Sequence, residues 1–163
     1  MALAADFANH FRKDQLAWKV CRHWVMPEQV PDILLSYKSK DDADVEPLME
    51  LLMLRPRIAD SHIEDLQEVA SRDFGPATVR VLTSKYPEQL EPTCIRALES
   101  DPLQYKAVMA AAKLLGDYGT TKSIDALQQV TTKKVGSKRG KKRVEKEVEI
   151  AIEKIKSRGT GDK

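Results

Sequence analysis

Residues 101–130 read DPLQYKAVMAAAKLLGDYGTTKSIDALQQV, and the reading of this stretch decides the fold. Tyr105, Val108, Met109, Ala112 and Leu115 recur at steps of three and four, the period of one helix face. Asp101-Pro102 opens that helix, because proline is tolerated in a first turn where its missing N–H has no partner to lose. Gly116 and Gly119 close it, and one of them is expected to take left-handed backbone at the helix end. Thr120 or Thr121 then caps a second helix carrying Ile124, Leu127 and Val130. Two helices joined by so short a turn lie antiparallel, and such a pair cannot bury both apolar faces unaided.

The same pattern extends to either side. Toward the N-terminus, Leu90, Cys94, Ile95 and Leu98 follow the break at Tyr86-Pro87, with Pro92 in the first turns. Val79, Leu82 and Thr83 follow Gly75-Pro76. Ser61 with Glu64 has capping-box spacing ahead of Ile63, Leu66, Val69 and Ala70. Val45, Leu48, Met49, Leu51, Leu52 and Leu54 cover most of a circumference, as a heavily buried helix should, and Arg55-Pro56 ends it. Val30, Ile33 and Leu34 line a shorter helix after Pro27, with a polar connector from Lys38 to Asp42. Phe7, Phe11, Trp18, Cys21 and Val25 make the stripe of a first helix. Toward the C-terminus, Val144, Val148, Ala151, Ile152 and Ile155 share one side of a last helix. Nothing alternates in the manner of a strand. Breaks near Val45, Gly75 and Asp101 recur at roughly one helix pair, the mark of a helical solenoid.

The stretch Ala111-Ala112-Lys113-Leu114-Leu115-Gly116-Asp117-Tyr118-Gly119, followed by Ile124-Asp125-Ala126-Leu127, resembles HEAT-type repeats, especially the short bacterial kind. The resemblance covers about one repeat. It implies an all-α, right-handed HEAT/ARM-like solenoid of antiparallel helix pairs, with a curved binding surface and no chemistry of its own. The expected organisation is one helical-repeat domain over 1–158, a flexible basic inter-helix loop at 131–143, and a disordered tail at 159–163.

Composition narrows the function classes. With 42% apolar and 32% charged residues in 163, the chain suits a globular domain. Two cysteines, Cys21 and Cys94, give no disulfide framework and suit a reducing, cytoplasmic setting. The longest apolar run, Leu51 to Leu54, is far short of a membrane span, and no signal peptide is visible.

Catalytic constellations are missing. His10, His23 and His62 with scattered acids form no triad or nucleophile elbow, so no enzyme and no cofactor is expected. Cys21 and His23 stand two apart, on different helix faces, so with His10 they do not make a zinc site. Gly116-Asp117-Tyr118-Gly119 is a helix turn rather than a nucleic-acid clamp, since Asp117 would repel phosphate. Trp18 and Trp24 could stack on bases, but at a six-residue step at least one of them belongs in the core.

One segment departs sharply from background. Lys133, Lys134, Lys138, Arg139, Lys141, Lys142 and Arg143 fill seven of the eleven positions from 133 to 143, and none of the others is acidic. Twenty basic and 25 acidic residues remain, so the rest of the chain is net −5 while this run is +7. Three readings fit: a solvated loop, an anchor for phosphate backbone, or a dock for an acidic protein. The leading expectation is a non-enzymatic scaffold or adaptor that binds another protein. The alternatives are a nucleic-acid-associated protein anchored through this run and an enzyme of a helical-repeat family, and none of the three involves a membrane.

Overall fold

The computed structural model describes residues 22–39, 44–101, 103–133 and 138–159. Several expectations fall outside those residues: the stripe residues Phe7, Phe11, Trp18 and Cys21, with His10; Asp41 and Asp42; Pro102; Lys134; and the tail from 160. Among the described residues the chain is all-helical, with short 3-10 turns and no strand. The helices are α1 (Val30–Lys38), α2 (Glu46–Leu54), α3 (Ile63–Ala70), α4 (Pro76–Ser84), α5 (Pro87–Glu99), α6 (Tyr105–Tyr118), α7 (Ile124–Thr132) and α8 (Lys138–Gly159).

The chain divides into two compact units, 1–87 and 88–163. The first unit centres on Leu34, Leu48, Met49, Leu51, Leu52, Leu66, Leu82 and Tyr86, all fully buried. Each contributes about 1.5–3 kcal/mol on removal from water. The second centres on Cys94, Leu98, Val108, Ala111, Leu115, Leu127, Val148 and Ala151.

Within each unit, helices two apart in the chain share their ends. At or just beyond the C-terminus of one helix stands a cation that donates to the last carbonyls of the helix two before it. Arg72 donates to the carbonyls of Tyr37 (3.0 Å) and Lys38 (2.8 Å), at the end of α1. Lys85 does so to Leu52 and Arg55 at the end of α2. In the second unit Lys133 reaches Leu98 and Glu99 at the end of α5, both at 3.2 Å. Arg158 reaches Gly116 and, at 2.8 Å, Gly119 at the end of α6. Helix C-termini leave carbonyls unsatisfied and carry partial negative charge, so a cation is the fitting partner.

Acids perform the mirror-image task at helix starts. Glu46 opens α2 and accepts from the Ala77 N–H (2.9 Å) in the first turn of α4. Glu91, in α5, accepts from the Thr120 N–H and hydroxyl, each at 2.9 Å, at the head of α7. Matching contacts at both ends make α2 parallel to α4 and α5 parallel to α7. Burial raises the Glu46 carboxyl above its ordinary value, against the Ala77 N–H that lowers it, with Asp73 and Asp44 adding repulsion. The Lys38 ammonium holds α1 to α3 through Asp65 (2.8 Å) and Glu68 (3.4 Å), and Glu68 also meets Arg72 (3.3 Å).

Some local expectations are corrected. Residues 22–24 form a turn, so Val25 is buried without being helical, and Trp24 stands 79% exposed. Ser61 lies inside a 3-10 turn that leads into α3, and no side chain caps that helix. The buried face of α4 is Ala77, Thr78, Val81 and Leu82, so Val79 and Thr83 are half-exposed. Thr120 does cap, accepting from the Lys122 N–H.

Neither Gly116 nor Gly119 adopts left-handed backbone. Gly116 is helical, and Gly119 is extended at φ −70°. What they supply is room. A Cβ on Gly116 would stand 3.0 Å from the Ala151 Cα, and one on Gly119 only 2.6 Å from the Leu115 oxygen.

Candidate polyanion-binding surface

From Lys138 onward the basic run is helix rather than flexible loop. Thr131 and Thr132 still belong to α7, and α8 begins at Lys138, leaving 134–137 outside the described residues. Lys and Arg are good helix formers, and the buried stripe Val144, Val148, Ala151 and Ile155 anchors the segment. Gly140 costs the helix about 1 kcal/mol, too little to break it.

The structure separates the expected site residues by task. Lys133 is half-buried and spent on the carbonyls of α5, so it is a structural cap. The Lys138 side chain and all of Lys134 lie outside the described residues. Arg139, Lys141, Lys142 and Arg143 are exposed in the first two turns of α8. Lys141 faces Glu145 at 3.9 Å, an i,i+4 pair. Arg139, Lys142 and Arg143 make no hydrogen bond or ion pair with any described residue.

Helical spacing adds a residue outside the basic run. Lys146 is exposed and falls on the same outward stripe as Arg139, Lys142 and Arg143, opposite the buried one. It likewise has no partner among the described residues. Its signal in the sequence was the i, i+3, i+7 spacing from Arg139 and Arg143, which emerges only once the segment is read as helix.

The electrostatics of this end are frustrated. A helix N-terminus carries partial positive charge and favours acids, yet the first turn of α8 contains none. An anion placed here is therefore attracted by the cations and by the helix end together. In a body whose remaining residues sum to a negative charge, this is where an anionic partner gains most.

Other candidate chemistry is sparse. Among the described residues no three His, Cys, Asp or Glu side chains come together to hold a metal, and no helix is long and apolar enough to cross a membrane. Cys94 is fully buried, and burial, then the Glu91 charge, pushes its thiol far above the ordinary value. A thiol so placed is not a nucleophile. His23 is exposed, and His62 lies 3.6 Å from Asp65. No family model, curated protein or solved structure matches the chain.

Proposed function

We propose that this chain is a non-enzymatic interaction module of helical-repeat type, docking a polyanionic macromolecule on the basic first turns of α8. The observation that carries the reading is the row Arg139, Lys142, Arg143 and Lys146, exposed, helical and without partners among the described residues. Cations kept only for helix stability would pair with acids one turn away, as Lys141 does with Glu145.

The repeat part of the reading rests on the end-capping pattern. A right-handed HEAT-like solenoid stacks each helix parallel to the one two places on, about one repeat later. Lys38 with Asp65, Glu46 with Ala77, Glu91 with Thr120 and Asp117 with Lys154 all span such an interval.

The test replaces Arg139, Lys142, Arg143 and Lys146 by Ser and measures binding to polyphosphate and to polyglutamate at low salt. The native chain binds at least one of them, and the fourfold variant loses that binding while its Tm stays within the range of surface substitutions. A native chain that binds neither polymer refutes the proposal.

A second reading, a scaffold for a protein partner, is favoured by Trp24 and Met26, which are 79% and 59% exposed. Capture from native extract with and without nuclease separates the two. A partner retained after nuclease and lost in a Trp24→Ser, Met26→Ser variant supports the scaffold.

A further inference from the structure

The basic row on α8 has a neighbour. Gly116 of α6 lies against Ala151 of α8, and Lys154 pairs with Asp117 at 2.7 Å one step further along both helices. Arg158 then reaches the carbonyls at the end of α6. Contact positions that advance together make the two helices parallel. Their small residues at the crossing, Ala112, Gly116 and Ala151, set the axes at the close end of the usual range, roughly 8 Å.

Running this register back toward both N-termini places Lys106 level with Lys141, and Lys113 level with Val148. Lys106 and Lys113 are two turns apart on the outer face of α6, and both are exposed. Neither has a partner among the described residues.

From Tyr105 to Gly116, α6 contains no acidic residue. From Lys138 to Lys146, α8 contains one, Glu145, which is half-buried and faces Lys141. The first acid beyond, Glu147, is half-buried on the flank. The outer surface of these N-terminal halves is thus cationic on two adjacent rods.

We propose that the docking surface is this two-helix face, with Lys106 and Lys113 beside Arg139, Lys142, Arg143 and Lys146, and that its ligand is the phosphate backbone of duplex nucleic acid, bound without regard to sequence. The inference rests on the polyanion reading above and adds to it an occupant and a footprint.

Three observations favour duplex. Both cation rows are fixed on buried helices, so they meet a ligand that already holds its charges in place, and a duplex holds two phosphate rows along a groove. Duplex also concentrates charge, at one per about 1.7 Å of axis. Finally, among the described residues the face offers no stacking platform for unpaired bases. Tyr105 is half-buried, and the exposed Tyr118 sits at the far end of α6. Cations that meet phosphate position the protein and carry no sequence information.

The experiment measures fluorescence anisotropy of short duplexes of unrelated sequence across a salt series, using the full chain. Each phosphate engaged contributes roughly 0.9 to the slope of log affinity against log salt. Unrelated duplexes should bind alike, with a native slope of about 5 if all six cations engage. Lys106→Ser with Lys113→Ser should flatten the slope by nearly 2, and the fourfold α8 variant by between roughly 3 and 4. Thermal unfolding of each variant confirms that it is folded.

An α6 double variant with the native slope, beside an α8 variant that flattens, overturns the two-helix face and leaves docking on α8 standing. Binding to polyphosphate or polyglutamate without binding to duplex overturns the duplex and leaves the module standing. Strong preference among the unrelated duplexes also overturns it. Binding to none of these probes removes both proposals together.

Discussion

Gly116→Ala is the substitution on which the packing argument makes the sharpest claim. In an ordinary helix interior this change stabilises by about 1 kcal/mol, because alanine has less backbone freedom to lose. Here the new methyl would stand 3.0 Å from the Cα and 3.2 Å from the Cβ of Ala151, with the Lys154 Cδ at 3.5 Å. The nearest atom is backbone, so relief requires α8 to shift as a rod, lifting Val144, Val148, Ala151 and Ile155 from their buried seats. Overpacking of this kind costs typically 1–3 kcal/mol. The balance is a net loss of about 1 kcal/mol, or roughly 2–4 °C in Tm for a chain of this length. The assay is thermal unfolding followed by circular dichroism, backed by a urea midpoint. Ala151→Gly in the same chain should return part of the loss, since it removes one of the two crowded methyls. A Gly116→Ala protein that melts higher than the native one, as a free helix position would, refutes the close approach of α6 and α8.

Other measurements check the remaining contacts. Lys133→Met keeps the aliphatic stem but strips the ammonium from the Leu98 and Glu99 carbonyls. It should cost about 0.5–1 kcal/mol while leaving anion binding unchanged; weakened anion binding would return Lys133 to the docking face. Glu46→Gln keeps an acceptor for the Ala77 N–H and discards a charge that burial disfavours, so its Tm at neutral pH should equal or exceed the native value. Glu46→Ala should lose about 1 kcal/mol with the cap. The Asp65 carboxyl is held below its ordinary 3.8, first by the Lys38 hydrogen bond. Its contribution to stability is therefore complete above that value and disappears as pH falls through the lowered one. Asp65→Asn should remove part of the acid-limb slope of the urea midpoint, and an unchanged slope would place Lys38 and Asp65 apart in solution.

The helical class was legible because it is written locally. Leu48, Met49, Leu51 and Leu52 in α2, and Val144, Val148, Ala151 and Ile155 in α8, announce buried faces through spacing alone, and they are buried. The cap at Thr120 was readable for the same reason, since its donor, the Lys122 N–H, is two residues away. Where local rules failed, close packing had overridden them. Gly116 and Gly119 resemble left-handed helix ends in sequence, yet they are glycine because Ala151, Leu115 and Ser123 leave no space for a Cβ. The basic run suggested a flexible loop, but the apolar stripe from Val144 onward, seated in the core, carries helix back to Lys138.

The division of the basic residues was beyond any one-dimensional reading. Lys133 and Arg139 belong to one charged run, and nothing in their spacing says that the first caps α5 while the second faces solvent. Lys106 and Lys113 sit 20 or more residues upstream and attract no notice until α6 and α8 are seen in parallel register. Periodicity records which side of a helix avoids water, so the sequence alone determines most of the helices and most of their buried faces. Which helix lies against which is settled by close packing between segments far apart in the chain. The cation rows, the trans caps and the crowded glycines therefore acquire their tasks only in the folded protein.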